Sequence, residues 1–158
     1  MRITFCSLAL TLLFPLAFFS NPQTEGSLLS QAAAAESTAV ATIQNIHTVR
    51  AFAPAHKKAQ IKRLAIGKNA FIGELSIQPG AKVPVHRDPT EEYLYVLSGG
   101  GTMTLNGTVH TVKEGDVVYM PAGAEVSFVN GKSVTRVLQV FAGPGPASKY
   151  DGWTPVTP

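Results

Sequence analysis

Past residue 42 the chain sets out apolar and alternating apolar/polar positions in short runs, which glycine, proline or asparagine interrupts at short intervals. Period-2 alternation puts successive side chains on opposite faces of a strand, and breaks every eight to twelve residues belong to all-β sandwiches and barrels. The pattern predicts strands over 61–66, 71–77, 83–86, 92–97, 102–105, 108–112, 117–120, 125–129 and 134–141. No helical period competes over a comparable length. Asn106-Gly107 separates two of these runs by two residues, a strong hairpin signal, because both positions of such a turn need positive φ. Asn130-Gly131 repeats the signal with a slightly longer loop. Gln78-Pro79-Gly80, the run from Lys113 to Asp116 and Pro121-Ala122-Gly123 supply the other breaks. Gly143-Pro144-Gly145-Pro146 is not expected to pair as strand, and Trp153 beyond it either folds back across the barrel as a plug or packs loosely.

Composition narrows the partners more than the fold. With 158 residues, 45% hydrophobic and 15% charged, the chain suits one domain and is too apolar for a disordered tail. A core of that size needs no metal or disulfide to hold it. The net charge is only +3 and the basic residues are not interleaved with aromatics, so no nucleic-acid partner is expected. Cys6 is the single cysteine, which excludes an internal disulfide and a cysteine-based zinc site. Lys57, Lys58, Lys62, Arg63 and Lys68 cluster ahead of the main runs, and their expected role is to guard an edge strand rather than to attract an acidic ligand.

The N-terminus carries a different signal. Arg2 is followed by a charge-free apolar stretch from residue 3 to 19, the pattern of an export signal. Broken by Pro15, that stretch is short for a bilayer span, so a membrane link is expected only if the signal stays uncleaved. Ala33-Ala34-Ala35 is the best small-residue cleavage site. The chain then divides into an export signal and spacer (1–35), an N-terminal arm (36–55), a barrel (56–143) and a Gly/Pro-rich tail (144–158). The product is expected outside the cytoplasm, periplasmic or secreted.

Two blocks of residues carry a resemblance. Gly80, five residues, His86, one residue, Asp88, three residues, Glu92, six residues and Gly99 resemble the first signature of the cupin superfamily. Gly115, five residues, Pro121, one residue, Gly123 and finally Asn130 resemble the second. The resemblance implies an all-β double-stranded β-helix, or jelly roll, with a degenerate metal site. Metal-binding cupins use two histidines and a glutamate from the first signature and a histidine from the second; here Asp88 stands for one histidine and Val126 for the last. The remaining set, His86, Asp88 and Glu92, is oxygen-rich and suits iron or manganese better than zinc.

Strand alternation puts Glu92, Leu94 and Val96 inside the barrel and Tyr93, Tyr95 and Leu97 on the other face, which is expected to pack on another sheet or a second copy of the chain. Val126 and Phe128 share the inward face, so the ligand pocket is expected to be lined by His86, Glu92, Leu94, Val126 and Phe128. Asp88, before Pro89, has two readings, a metal ligand or a turn cap bonded to its own backbone. Glu92 needs an interior partner: a metal, a protonated His86 or ordered water. In the absence of metal, a His86–Glu92 pair is the expected arrangement. Glu74, mid-strand, is the one further donor that would replace the missing ligand if it points inward. Two functions stay open. The first is an exported barrel that binds a small molecule in an apolar interior, with no certain cofactor. The alternative is an iron- or manganese-dependent enzyme, an oxygenase, lyase or isomerase, using His86, Asp88 and Glu92, with His86 as a general base in a metal-free variant.

Overall fold

A computed structural model describes residues 40–156 of the chain. The export-signal reading of residues 1–35 and Cys6 lie outside the described residues. Among them the strands are β1 (Ala51–Ala53), β2 (Ala59–Ile66), β3 (Ala70–Ile77), β4 (Lys82–Arg87), β5 (Glu92–Ser98), β6 (Gly100–Leu105), β7 (Thr108–Lys113), β8 (Val117–Met120), β9 (Glu125–Asn130), β10 (Thr135–Ala142) and β11 (Thr154–Pro155). A short 3₁₀ helix, Gly145–Tyr150, lies between β10 and β11. One sheet runs β11-β1-β2-β3-β10-β5-β8 and the other β4-β9-β6-β7, with antiparallel pairing throughout. The fold is an all-β jelly roll.

Each predicted run falls on a strand, with no end displaced by more than two residues. Asn106 and Gly107 take φ of 47° and 81°, the positive pair that the β6–β7 hairpin requires. Gly100 sits at φ 152°, and a Cβ there would lie 2.1 Å from the Val112 carbonyl oxygen, so β6 and β7 approach too closely for any other residue. Asn130-Gly131 is a different case. Neither residue has positive φ; Asn130 ends β9, buried, and its side chain rather than its backbone makes the corner.

The two sheets enclose one apolar core. Ile77, Leu94, Val96, Val118, Met120 and Val137 from the first sheet meet Met103, Val112, Val126 and Phe128 from the second. A second cluster, Ile61, Phe71, Phe141, Ala147 and Tyr150, seals the chain's return beneath the 3₁₀ helix. Phe71 and Phe141 are fully buried with ring centroids 5.8 Å apart, and each such ring contributes roughly 2 to 3 kcal/mol by leaving water.

One expectation changes here and two open readings are decided. β2 is not an edge: β1 and β11 pair beyond it, so Lys62 and Arg63 serve as partners rather than guards. Lys62 reaches the Ile46 carbonyl oxygen (2.9 Å), and Arg63 pairs with Asp151 (3.1 Å). The stretch after the Gly/Pro run is an ordered strap, with β11 hydrogen-bonded to β1, because Tyr150 and Ala147 bury against Phe71 and Phe141. Trp153 rests edge-on against Tyr150, centroids 4.9 Å apart. Finally, Glu74 points away from the interior. On β3 it alternates with inward Gly73 and Leu75, and Arg136 holds it at 2.6 Å on the outer face. The face carrying Tyr93 and Tyr95 is exposed, with no other sheet of the described residues over it.

Candidate functional site

β4, β5, β9 and β10 direct one set of side chains into the barrel, and the C-terminal strap closes over it. The interior holds a cavity of about 480 Å³. His86, Glu92, Leu94, Val126 and Phe128 all line it, as do Asp88, Met103, Gln139, Lys149, Tyr150 and Trp153. Val126 lies directly opposite His86 in the β4–β9 register. The wall beside the imidazole on that sheet is therefore hydrocarbon.

His86, Asp88, Glu92, Gln139, Lys149 and Tyr150 form one polar cluster, while His56, Lys82, Arg87 and Thr135 also line the cavity. One ring nitrogen of His86, a carboxylate oxygen of Asp88 and one of Glu92 lie within 4.8 Å of one another. His86 Nδ1 is 2.9 Å from the Pro84 carbonyl oxygen; a carbonyl only accepts, so Nδ1 carries a proton and donates. In the neutral ring Nε2 then offers its lone pair toward Asp88 Oδ2, 3.9 Å away. Two acceptors facing each other call for a positive charge between or beside them. Lys149 supplies one: its Nζ donates to both oxygens of Asp88, at 2.9 and 2.8 Å. The bonds that the Asp88 carboxylate makes thus run to the strap and not to its own turn, which removes the turn-cap reading.

Glu92 is partnered by neither His86 nor a backbone group. Gln139 Nε2 donates to Glu92 Oε1 at 2.6 Å, and the Tyr150 hydroxyl donates to Gln139 Oε1 at 2.7 Å. This chain replaces the expected His86–Glu92 pair. It arises because β10 lies beside β5, so the inward Gln139 falls next to the inward Glu92 and Leu94. Burial pushes the Glu92 carboxyl from 4.5 up to about 7; the Gln139 bond and the Lys149 charge oppose that rise, and Asp88 adds to it. Burial first, then the Glu92 charge, holds the Tyr150 phenol above its usual range, so it remains a neutral donor. Gln139 had a sequence signal, a polar residue at an inward position between Val137 and Phe141. Lys149 and Tyr150 had none, since they follow a break and reach the site only through the fold of the strap.

Residues 73–141 match the family model described as "Cupin domain". The barrel belongs to the cupin superfamily. Among curated relatives, the chain is 30% identical over 78 residues to a dimethylsulfoniopropionate lyase, DddW, of Ruegeria pomeroyi, covering 49% of this chain and 51% of that one. It spans about half the length of the curated relatives it matches. Among solved structures, an RmlC-like cupin from Shewanella frigidimarina superposes with a TM-score of 0.60 at 13% identity, covering 66% of this chain and 92% of that one. A predicted oxalate decarboxylase from Thermotoga maritima gives 0.59 at 20% identity, covering 65% and 99%. Both are likenesses of fold.

Cupins often hold iron or manganese. The donors of this cupin fit such an ion in kind: one imidazole nitrogen with its other nitrogen anchored to a carbonyl, and two carboxylates. His86, Asp88 and Glu92 would hold it, with Val126 where cupins of the full ligand set carry a fourth donor.

Proposed function

We propose that this cupin is an exported barrel that takes one small, largely apolar molecule into its interior and orients the molecule's polar end against His86 and Glu92. The observation that carries the reading is the cavity, about 480 Å³ and walled by Leu94, Val96, Met103, Val126, Phe128 and Val137, with Glu92, Gln139 and Tyr150 hydrogen-bonded in series beside His86 and Asp88. That is the composition of a small-molecule site: apolar area supplies affinity and a few fixed polar groups set orientation. Glu92, poised near neutral pH, donates a hydrogen bond to a ligand oxygen when protonated and accepts one when ionised. Tyr150 and Gln139 hold the carboxyl in place from behind. Export rests on Arg2 and the charge-free stretch that follows it; cell fractionation that finds the protein only in the cytoplasm would remove that part of the reading.

A second reading has its own observation, the three donors within 4.8 Å of one another. In it the barrel is an iron- or manganese-dependent enzyme, and a relative's name, dimethylsulfoniopropionate lyase, belongs to that class of possibility. A bound ion would supply Lewis-acid polarisation of a substrate oxygen. The chain's own part is then to hold the ion with His86, Asp88 and Glu92, bind that substrate against the Val126 wall and exclude water beneath Trp153.

One preparation of the full chain, purified without chelator or nickel, separates the two. The expected result is substoichiometric iron and manganese together with saturable binding of the dye 1-anilinonaphthalene-8-sulfonate, one molecule per barrel. Val126→Trp, which fills the cavity, lowers dye affinity at least tenfold while keeping a cooperative melt. Stoichiometric iron or manganese that disappears in His86→Ala puts the second reading in place of the first.

A further inference from the structure

The strap that ends the chain brings a cation into the donor cluster. Lys149 lies on the 3₁₀ helix Gly145–Tyr150, whose backbone is fastened on both sides. Ala147 and Tyr150 are buried, the Tyr150 hydroxyl is bonded to Gln139, and Arg63 bonds the Tyr150 carbonyl oxygen and pairs with Asp151. Beyond it, β11 is stitched to β1. The Lys149 stem therefore leaves a fixed point. Its ammonium lies 4.8 Å from the centre of the Phe141 ring and donates to both oxygens of Asp88. A ring face and a carboxylate together make a site for positive charge, and bonds between two charged groups are the stronger kind. The Asp88 side chain is only 12% exposed, so the pair is shielded from water and salt on the Asp88 side.

We propose that Lys149 is a tethered cation that competes with a divalent metal for Asp88 and thereby sets the barrel toward metal-free binding. The inference rests on the reading of this interior corner as the working site. A metal held by His86, Asp88 and Glu92 needs an Asp88 oxygen that Lys149 already occupies, and the ammonium would remain beside the incoming ion as a like charge. Val126 removes one donor from the metal, and Lys149 removes the free use of a second. The two departures act in the same direction although they come from strand and strap. Lys149 is thus a specificity-determining residue, selecting between an ion and an uncharged ligand at one corner.

The test is calorimetric titration of Mn²⁺ into the full chain at neutral pH, for the parent, Lys149→Met, Lys149→Arg and the double variant Asp88→Asn/Lys149→Met. Methionine keeps the stem over Phe141 and removes the charge. Lys149→Met is expected to bind Mn²⁺ at least tenfold more tightly than the parent, Lys149→Arg to stay at the parent's affinity, and the double variant to lose the gain. Equal affinities in parent and Lys149→Met, no detectable Mn²⁺ binding by Lys149→Met, or a gain that survives Asp88→Asn each overturn the proposal. A thermal melt of every variant shows that the comparison is between folded proteins. Dye binding in the same samples keeps the two ideas separable: loss of the single dye site in the parent sinks the ligand-binding reading, whereas the Mn²⁺ affinities alone decide the role of Lys149.

Discussion

Replacing Glu92 by glutamine stabilises the protein above pH 8 and leaves its stability nearly unchanged below pH 4.5. The carboxyl is 5% exposed, and burial pushes it from 4.5 up to about 7. A carboxyl whose folded value is raised favours the state in which it is protonated. Its contribution is fully present below pH 4.5, falls away as the pH rises through 7, and is absent above. Glutamine mimics the protonated form at every pH, since its carbonyl oxygen still accepts from Gln139 and its amide donates where the acid proton would. The gap between parent and variant therefore opens between pH 4.5 and about 7. Its plateau is roughly 3 kcal/mol, since each pH unit across that interval corresponds to about 1.4 kcal/mol. Urea unfolding of both proteins across this range, with chelator present so that no metal stabilises the carboxylate, measures it. A gap that is the same at pH 4 and pH 9 would show that folding does not raise this carboxyl. The same property bears on function, because a carboxyl poised near neutral pH exchanges a proton with a bound molecule at little cost.

The second large effect lies away from the cavity. Asn130 is 5% exposed, and its Nδ2 donates to the carbonyl oxygens of Ile77 (2.8 Å), Gln78 (2.8 Å) and Ser133 (2.9 Å). An amide has two hydrogens, so one of them is shared between two of these carbonyls. Its Oδ1 accepts from the Thr135 hydroxyl, whose oxygen in turn receives the Gly100 N–H at 2.7 Å. One side chain thus ties the ends of β3, β9 and β10 to the start of β6. Asn130→Ala strands buried carbonyls at about 1–3 kcal/mol each, so a loss of roughly 3–5 kcal/mol is expected, a large part of an ordinary domain's stability. Asn130→Asp does as badly, because it turns an acceptor toward three acceptors. Guanidinium unfolding reads both variants, and a loss under about 1 kcal/mol would mean that water replaces the amide at no great cost.

Much of this protein is legible in its sequence because local rules govern it. Period-2 alternation is a property of the strand backbone itself, so Glu92, Leu94 and Val96 can be assigned inward and Tyr93 and Tyr95 outward without any knowledge of neighbouring strands. Asn106-Gly107 declares its hairpin because positive φ is a demand that few residues meet. The spacing of His86, Asp88 and Glu92 carries the family, and with it three side chains that the fold brings within 4.8 Å. Asn130-Gly131 is a partial exception. The pair reads as a turn, whereas Asn130 contributes a side-chain network with residues 52 and 53 positions away.

Adjacency governs the rest, and no local pattern encodes it. Glu74 alternates on its strand as any residue does, and only the meeting of β3 with β10 shows that Arg136 waits on the outer side. Gln139 reaches Glu92 across 47 residues of chain, and Lys149 reaches Asp88 across 61. Those pairs depend on where β10 inserts between β3 and β5 and on a strap that Tyr150 and Ala147 anchor by burial. Backbone periodicity and turn chemistry are written residue by residue, and they suffice for the jelly roll and for the set of side chains that face inward. Which charges meet inside is a matter of distant segments brought into contact, since burial and partner choice exist only once the chain has folded, and it is there that the balance between a metal and a tethered ammonium is set.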